Sequence, residues 1–150
     1  KRPGFTSQPV PHPRKKNPDG SALMRRHLGM DISFKEGLTE AMPAVAVADG
    51  TVTVKKATAA ELEGAEGSGN VVEIDLGGGV KVRYLHLASF ETTGGAAVNR
   101  GDKLGMLGKT GSPDSPHLHF EVYANGTAVD PIPYLNDTTK NWAFPAAVMR

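Results

Sequence analysis

The sequence predicts an all-β domain: antiparallel sheets of short strands with long loops around a groove. Two observations carry this. Apolar residues recur with period two in short runs, so alternate side chains face one core. The runs are separated by turn-forming residues, and 18 glycines and 11 prolines in 150 residues are well above average usage. The same composition disfavours long helices. A chain of this length fits one domain with a core large enough to fold alone, and it holds no internal repeat.

The elements follow in order. Residues 1–22 are rich in proline and basic side chains without periodicity, and read as an irregular N-terminal arm. Residues 43–56 read as two strands broken at the tight-turn dipeptide Asp49-Gly50, with Val45 and Val47 before it and Val52 and Val54 after it. Residues 57–69 read as a loop with one helical turn. Residues 70–87 give the clearest hairpin. Val72, Ile74 and Leu76 alternate with Glu73 and Asp75, three glycines turn the chain, and Val80, Val82, Tyr84 and His86 then share one face. A long loop over 88–101, a short strand Lys103–Leu107 and a second loop Gly108–Pro116 lead to a strand over 117–124. Asp130-Pro131 and Pro133 end the regular part. The expected division is an arm 1–22, a domain 23–136 and a tail 137–150.

Composition excludes several functions. There is no cysteine, hence no disulfide, thiolate zinc finger or cysteine nucleophile. A net charge of +1 argues against broad nucleic-acid binding. Residues 1–26 carry seven Lys/Arg against Asp19 alone, which suits a solvated arm or one attracted to an anionic polymer such as cell wall. No apolar run approaches the roughly 20 residues of a membrane helix. The chain opens Lys1-Arg2-Pro3 without an initiator Met. It reads as a processed form or excised piece, so a missing signal says little about the parent.

The chemistry concentrates in histidine. His117-Leu118-His119-Phe120-Glu121-Val122-Tyr123 alternates. Leu118, Phe120 and Val122 face one way, and His117, His119, Glu121 and Tyr123 the other. Two imidazoles opposite an apolar face suit a metal or proton-transfer site. His27 and Asp31, four apart, share a face on a helix or a strand alike, although Gly29 disfavours a helix. Imidazole nitrogen and carboxylate oxygen favour zinc, whereas magnesium or calcium would want mostly oxygen. His27, Asp31 and one or two of His86, His117 and His119 would complete a catalytic set. Spacing alone does not say which. The G-x-x-x-x-G-K-[ST] phosphate loop, H-E-x-x-H and G-x-S-x-G are all absent.

Several ordered segments then resemble one family. They are Arg25-Arg26-His27-Leu28-Gly29-Met30-Asp31-Ile32, Val47–Val52, Gly69–Ile74, Tyr84-Leu85-His86-Leu87, Val98–Gly105, Gly108-Lys109-Thr110-Gly111, His117–Val122 and Val129-Asp130-Pro131. In this order, over roughly 25–135, the chain resembles the LytM/lysostaphin-type zinc peptidases, family M23, which cut peptidoglycan peptides. The resemblance implies a LytM-like fold and one zinc ion per domain on His27, Asp31 and His119. It implies acid/base and transition-state roles for His86 and His117. It further implies an extracytoplasmic, monomeric zinc metalloendopeptidase acting on peptidoglycan cross-links or stem peptides. The alternative is a non-hydrolytic zinc-binding wall module that regulates another hydrolase; such members usually lose ligands, and all five positions are intact here.

Departures from the family pattern are local. Thr6–Arg14 replaces the Phe-Gly-x-Arg that often precedes the first ligand. Ser21 stands where some members place an oxyanion tyrosine, which leaves Arg25 as a candidate substitute. Asp75 and Ser115 replace a polar residue and a glycine. His12 or Asn17 is a candidate inhibitory plug in a fourth metal position. Asn70 is read as closing a turn, Tyr84 as packed beside the groove, and Glu121 as either a partner orienting an imidazole or a solvated strand residue.

Overall fold

The computed structural model describes residues 6–32, 42–111 and 116–135. The chain runs through β1 (Thr6–Lys16), β2 (Ala22–His27), β3 (Met30–Ile32), β4 (Pro43–Val45), β5 (Gly50–Lys55) and the short helix α1 (Ala59–Leu62). It continues with β6 (Asn70–Gly77), β7 (Val80–Leu87), β8 (Ser89–Phe90), β9 (Ala97–Val98), β10 (Lys103–Met106), β11 (Leu118–Ala124), β12 (Thr127–Val129) and the helical turn α2 (Pro131–Leu135). The all-β, antiparallel expectation holds. β12, β11, β7, β6, β5 and β9 lie side by side in the large sheet, and β3 adds to β11. β4, β10 and β8 form a second sheet, and β1 and β2 a third.

The N-terminal segment departs from expectation. Thr6–Lys16 is not irregular; it is a strand antiparallel to β2. Proline cannot donate to a ladder, so it is confined to edges and bulges. Among the described residues β1 pairs only with β2, and its register slips between Thr6 and Val10 and again between Pro11 and Lys16. Those are the conditions that accommodate Pro9, Pro11 and Pro13. In the connecting turn the Asn17 amide donates to Ser21 Oγ at 3.0 Å.

β6 and β7 form the expected hairpin. Gly77, Gly78 and Gly79 turn it with φ of +79°, +62° and +80° in succession, a path closed to larger residues. β4 and β5, although both present, do not pair across Asp49-Gly50. β4 joins β10, and β5 joins β6 and β9, so this corner carries the chain from one sheet to the other. The Asp49 carboxylate accepts from the Arg100 amide at 2.7 Å and holds the corner to the 99–102 loop. Capping explains the helical turn in 57–69. Thr58 accepts from the Glu61 amide, and the Glu61 carboxylate accepts from the Thr58 amide.

The core joins the two larger sheets. Val52, Val72, Ile74, Val82, Leu118, Phe120 and Val122 of one pack with Ala44 and Leu104 of the other. Tyr84 belongs to this core rather than to a groove wall. Its ring is fully buried, meets Phe120 edge-on at 5.3 Å, and its hydroxyl accepts from the Val47 amide at 2.9 Å. Alternation along β11 therefore anchors Leu118, Phe120 and Val122 inside and turns His119 and Glu121 to the opposite face. The β11 face opposite the core carries the chemistry.

Candidate metal centre

His27 ends β2, and Asp31 sits in β3 directly opposite His119 on β11. The H-x-x-x-D segment is thus neither a helix nor one continuous strand: it breaks at Leu28-Gly29. Gly29 lies against β11 so closely that a Cβ would come 2.2 Å from the Phe120 carbonyl oxygen and 2.9 Å from His119 Nε2. Only glycine lets the two strands meet there.

The three side chains converge on one oxygen. Asp31 Oδ1 accepts from His119 Nδ1 at 2.8 Å and from His27 Nε2 at 3.2 Å. One donor atom from each of His27, Asp31 and His119 lies within 4.8 Å of the others. Two imidazole nitrogens and a carboxylate oxygen form a set that zinc accepts, with too few oxygens for magnesium or calcium. Burial alone would raise the Asp31 pKa. The hydrogen bonds from His119 and His27, with the nearby His117 imidazole, outweigh it and hold the group far below the usual carboxylate range.

His119 is clamped at both ends. Its Nδ1 faces Asp31, and its Nε2 lies 3.1 Å from Glu121 Oε1. Burial acts to lower its pKa, but the bonds to Asp31 and Glu121 raise it to about 9. Glu121 is buried, not a solvated strand residue. Its second oxygen accepts from Tyr123 OH at 2.9 Å. Burial would raise the Glu121 pKa, yet the His119 hydrogen bond and charge lower it overall. A carboxylate behind an imidazole in this way fixes both tautomer and ring orientation.

His86 and His117 stand beside this group. Their ring centroids are 4.9 Å apart, and His86 is 6.0 Å from His119. His117 Nε2 lies 3.6 Å from Asp31 Oδ1, against 2.8 Å for His119, so the two members of H-x-H are unequal. His86 does not share the face of Val82 and Tyr84, as strict alternation predicts. The β6–β7 register slips between the Asn70–Leu87 and Val72–Tyr84 pairs, and His86 takes φ +66°. This bulge turns its ring to the face of His117 and His119. His86 Nδ1 lies 2.8 Å from the Thr110 carbonyl oxygen. A carbonyl only accepts, so Nδ1 carries the proton and Nε2 keeps its lone pair. Burial pushes the His86 pKa down to about 4, partly opposed by that bond.

Within Gly108–Gly111 no sequence signal marks Thr110, whose carbonyl orients His86 through a contact 24 residues distant in sequence. Asn70 does more than close a turn. Its buried side chain accepts from the Ala57 amide at 2.8 Å and donates to the Leu87 carbonyl at 2.9 Å. Ser21 cannot stand in for an oxyanion tyrosine: it is exposed in the β1–β2 turn, its hydroxyl donating to Asp19 at 2.6 Å. Asn17, bonded in that same turn at the far end of β2 from His27, is not placed as a plug. The side chains of His12 and Arg25, and Ser115 with the rest of 112–115, lie outside the described residues, as does the 137–150 tail. Beside the centre a groove of about 330 Å³ runs over β5, β6, β7 and β11, lined by Lys55, Val71, Glu73, Arg83, Leu85 and Glu121 among others.

Comparison with known proteins places the chain in a family. The model of Peptidase family M23 matches residues 25–131. The DD-carboxypeptidase/endopeptidase Mpg of Neisseria meningitidis serogroup B is 33% identical over 135 residues, covering 86% of this chain. The chain spans 29% of that relative's length. The catalytic domain of the antimicrobial peptidase lysostaphin from Staphylococcus simulans superposes with a TM-score of 0.63 at 25% identity, covering 89% of each chain. A zinc-containing peptidase from Vibrio cholerae superposes at 0.56 with 31% identity, covering 83% of this chain and 34% of that one. On the match across the histidine segments and the shared all-β fold, the chain belongs to peptidase family M23.

Proposed function

We propose that this domain is a zinc metalloendopeptidase that hydrolyses peptide bonds in peptidoglycan cross-links or stem peptides, working outside the cytoplasm as a monomer. The observation that carries the reading is the convergence of His27, Asp31 and His119, flanked on one side by His86 and His117. The zinc-containing Vibrio relative and the endopeptidase name of the Neisseria relative support it. Among the described residues, no helix is long and apolar enough to cross a membrane.

In this reading His27, Asp31 and His119 hold one zinc ion. Zinc in such a site lowers the pKa of a water and polarises a peptide carbonyl. Glu121 keeps His119 aimed at Asp31. His86, neutral at pH 7 with Nε2 unprotonated, takes the proton from the attacking water and passes it to the leaving amine. His117, beside His86, donates to the oxygen on which charge develops. Thr110 holds His86 in the required tautomer throughout.

The experiment is mass spectrometry of fragments released from defined cross-linked muropeptides by the zinc-loaded protein. The expected result is one new amine and one new carboxylate per cut, abolished by chelator and restored by zinc. Full activity in metal-free protein, or no cleavage of any muropeptide by the loaded protein, would contradict the reading.

A further inference from the structure

We propose that Arg83 is a carboxylate receptor in the groove beside the metal centre, selecting peptides with a free carboxylate near the cut bond. The proposal rests on the peptidase reading above and names a substrate feature that the site would prefer.

Three observations carry it. The guanidinium is already positioned. Its Nε donates to Glu73, and its Cζ lies over the Tyr123 ring, 4.3 Å from the centroid. Its terminal nitrogens, in contrast, make no hydrogen bond among the described residues. The carboxylate oxygen Glu121 Oε2 lies 3.9 Å from Nη1, and that group is already engaged by His119 and Tyr123. Finally, the side chain is 40% exposed and lines the groove. A fixed guanidinium whose terminal nitrogens make no hydrogen bond, with Nη1 in only a long ion pair to Glu121, matches the two oxygens of a carboxylate.

The other groove cation is differently placed. Lys55 Nζ already donates to Ser68 Oγ at 2.8 Å and lies 3.6 Å from Glu61. Nor does Glu73 cancel Arg83 by itself, because Lys81 Nζ shares that carboxylate at 3.6 Å. Val54, Val71 and Leu85 provide apolar walls for small aliphatic side chains on either side. Glu121 bridges the two sites, touching His119 with one oxygen and approaching Arg83 with the other. These contacts of 3.1 Å and 3.9 Å through one carboxylate place the guanidinium within about three residues of extended peptide from His119.

The test uses pairs of synthetic cross-linked peptides that differ only in carboxylate versus carboxamide, placed in turn within three residues on either side of the cut bond. For zinc-loaded wild type we expect about a tenfold or greater preference in kcat/KM for the acid at one position, carried by KM. Arg83→Gln should erase that preference by lowering kcat/KM on the acid peptide to the level of the amide peptide. Arg83→Lys should keep part of it. Thermal melts of both variants check that the fold survives. Equal rates on acid and amide at every position, or an equal loss on both in Arg83→Gln, would overturn the proposal. If wild type cleaves neither peptide, the peptidase reading fails instead. Fluorescence anisotropy of the intact peptides then decides the role of Arg83: an Arg83-dependent preference for the acid supports it, and equal binding overturns it.

Discussion

Asp31 and His119 face each other across the β3–β11 ladder, and the 2.8 Å contact between Oδ1 and Nδ1 is the hinge of the site. Both ring nitrogens of His119 face carboxylates, so the charged imidazole directs one proton to Asp31 and a second to Glu121. A divalent cation and the first of these protons compete for the same nitrogen.

Zinc binding should therefore release a proton. With the His119 pKa raised to about 9, the imidazole is charged at neutral pH in metal-free protein. Raising pH from 6 to 8 should tighten zinc about tenfold per unit for each proton displaced. Calorimetry in buffers of different ionisation enthalpy reads the proton count directly. A pH-independent affinity with no proton release would contradict this.

Glu121→Gln removes the carboxylate behind His119 without changing its size. Zinc affinity should fall about 10- to 100-fold, the usual cost of losing such a partner, with little change in thermal stability of the loaded protein. Competition with a fluorescent chelator measures it. An unchanged affinity would mean that Asp31 alone orients the ring.

His86→Ala should separate chemistry from metal binding. Turnover is expected to drop about 10²- to 10⁴-fold while zinc stays bound, because the proposed role of the residue is to move a proton and not to hold the ion. Steady-state kinetics with a metal assay on the same preparation would check both halves.

Gly29→Ala should destabilise the domain by about 1–3 kcal/mol, since the new methyl group meets the Phe120 carbonyl and the strands must part. Denaturant unfolding gives the number. Because the displaced strands carry Asp31 and His119, zinc affinity should fall as well.

Glu61 offers a pH test away from the centre. Hydrogen bonds from the Thr58 and Gly69 amides hold its pKa at about 2, below its ordinary 4.5. A depressed carboxylate contributes stability above its unfolded value and loses it as pH falls through the folded one. Wild type should therefore exceed Glu61→Gln by about 1 kcal/mol at pH 6, the scale of one capping interaction, with the gap closing toward pH 2. Urea melts at both pH values check the sign.

Much of the fold is legible in the sequence. Alternation placed Leu118, Phe120 and Val122 in the core and His119 and Glu121 on the opposite face, because period two is enforced wherever one sheet face is buried. What escaped were departures from that period. A single left-handed residue in a bulge moves His86 across the sheet, and nothing in Tyr84-Leu85-His86-Leu87 marks it by composition. The prolines of Thr6–Lys16 argued against a strand because they argue against a central one, and an edge strand with register slips admits them. Arg83 and Thr110 were silent because their partners lie on other strands and loops: Glu73 and Tyr123 for the first, His86 for the second.

The most direct test is zinc content after gel filtration of wild type and five single alanine variants. The account predicts about one equivalent in wild type, His86→Ala and His117→Ala, and essentially none in His27→Ala, Asp31→Ala and His119→Ala. Zinc retained by His119→Ala but lost from His117→Ala would contradict it.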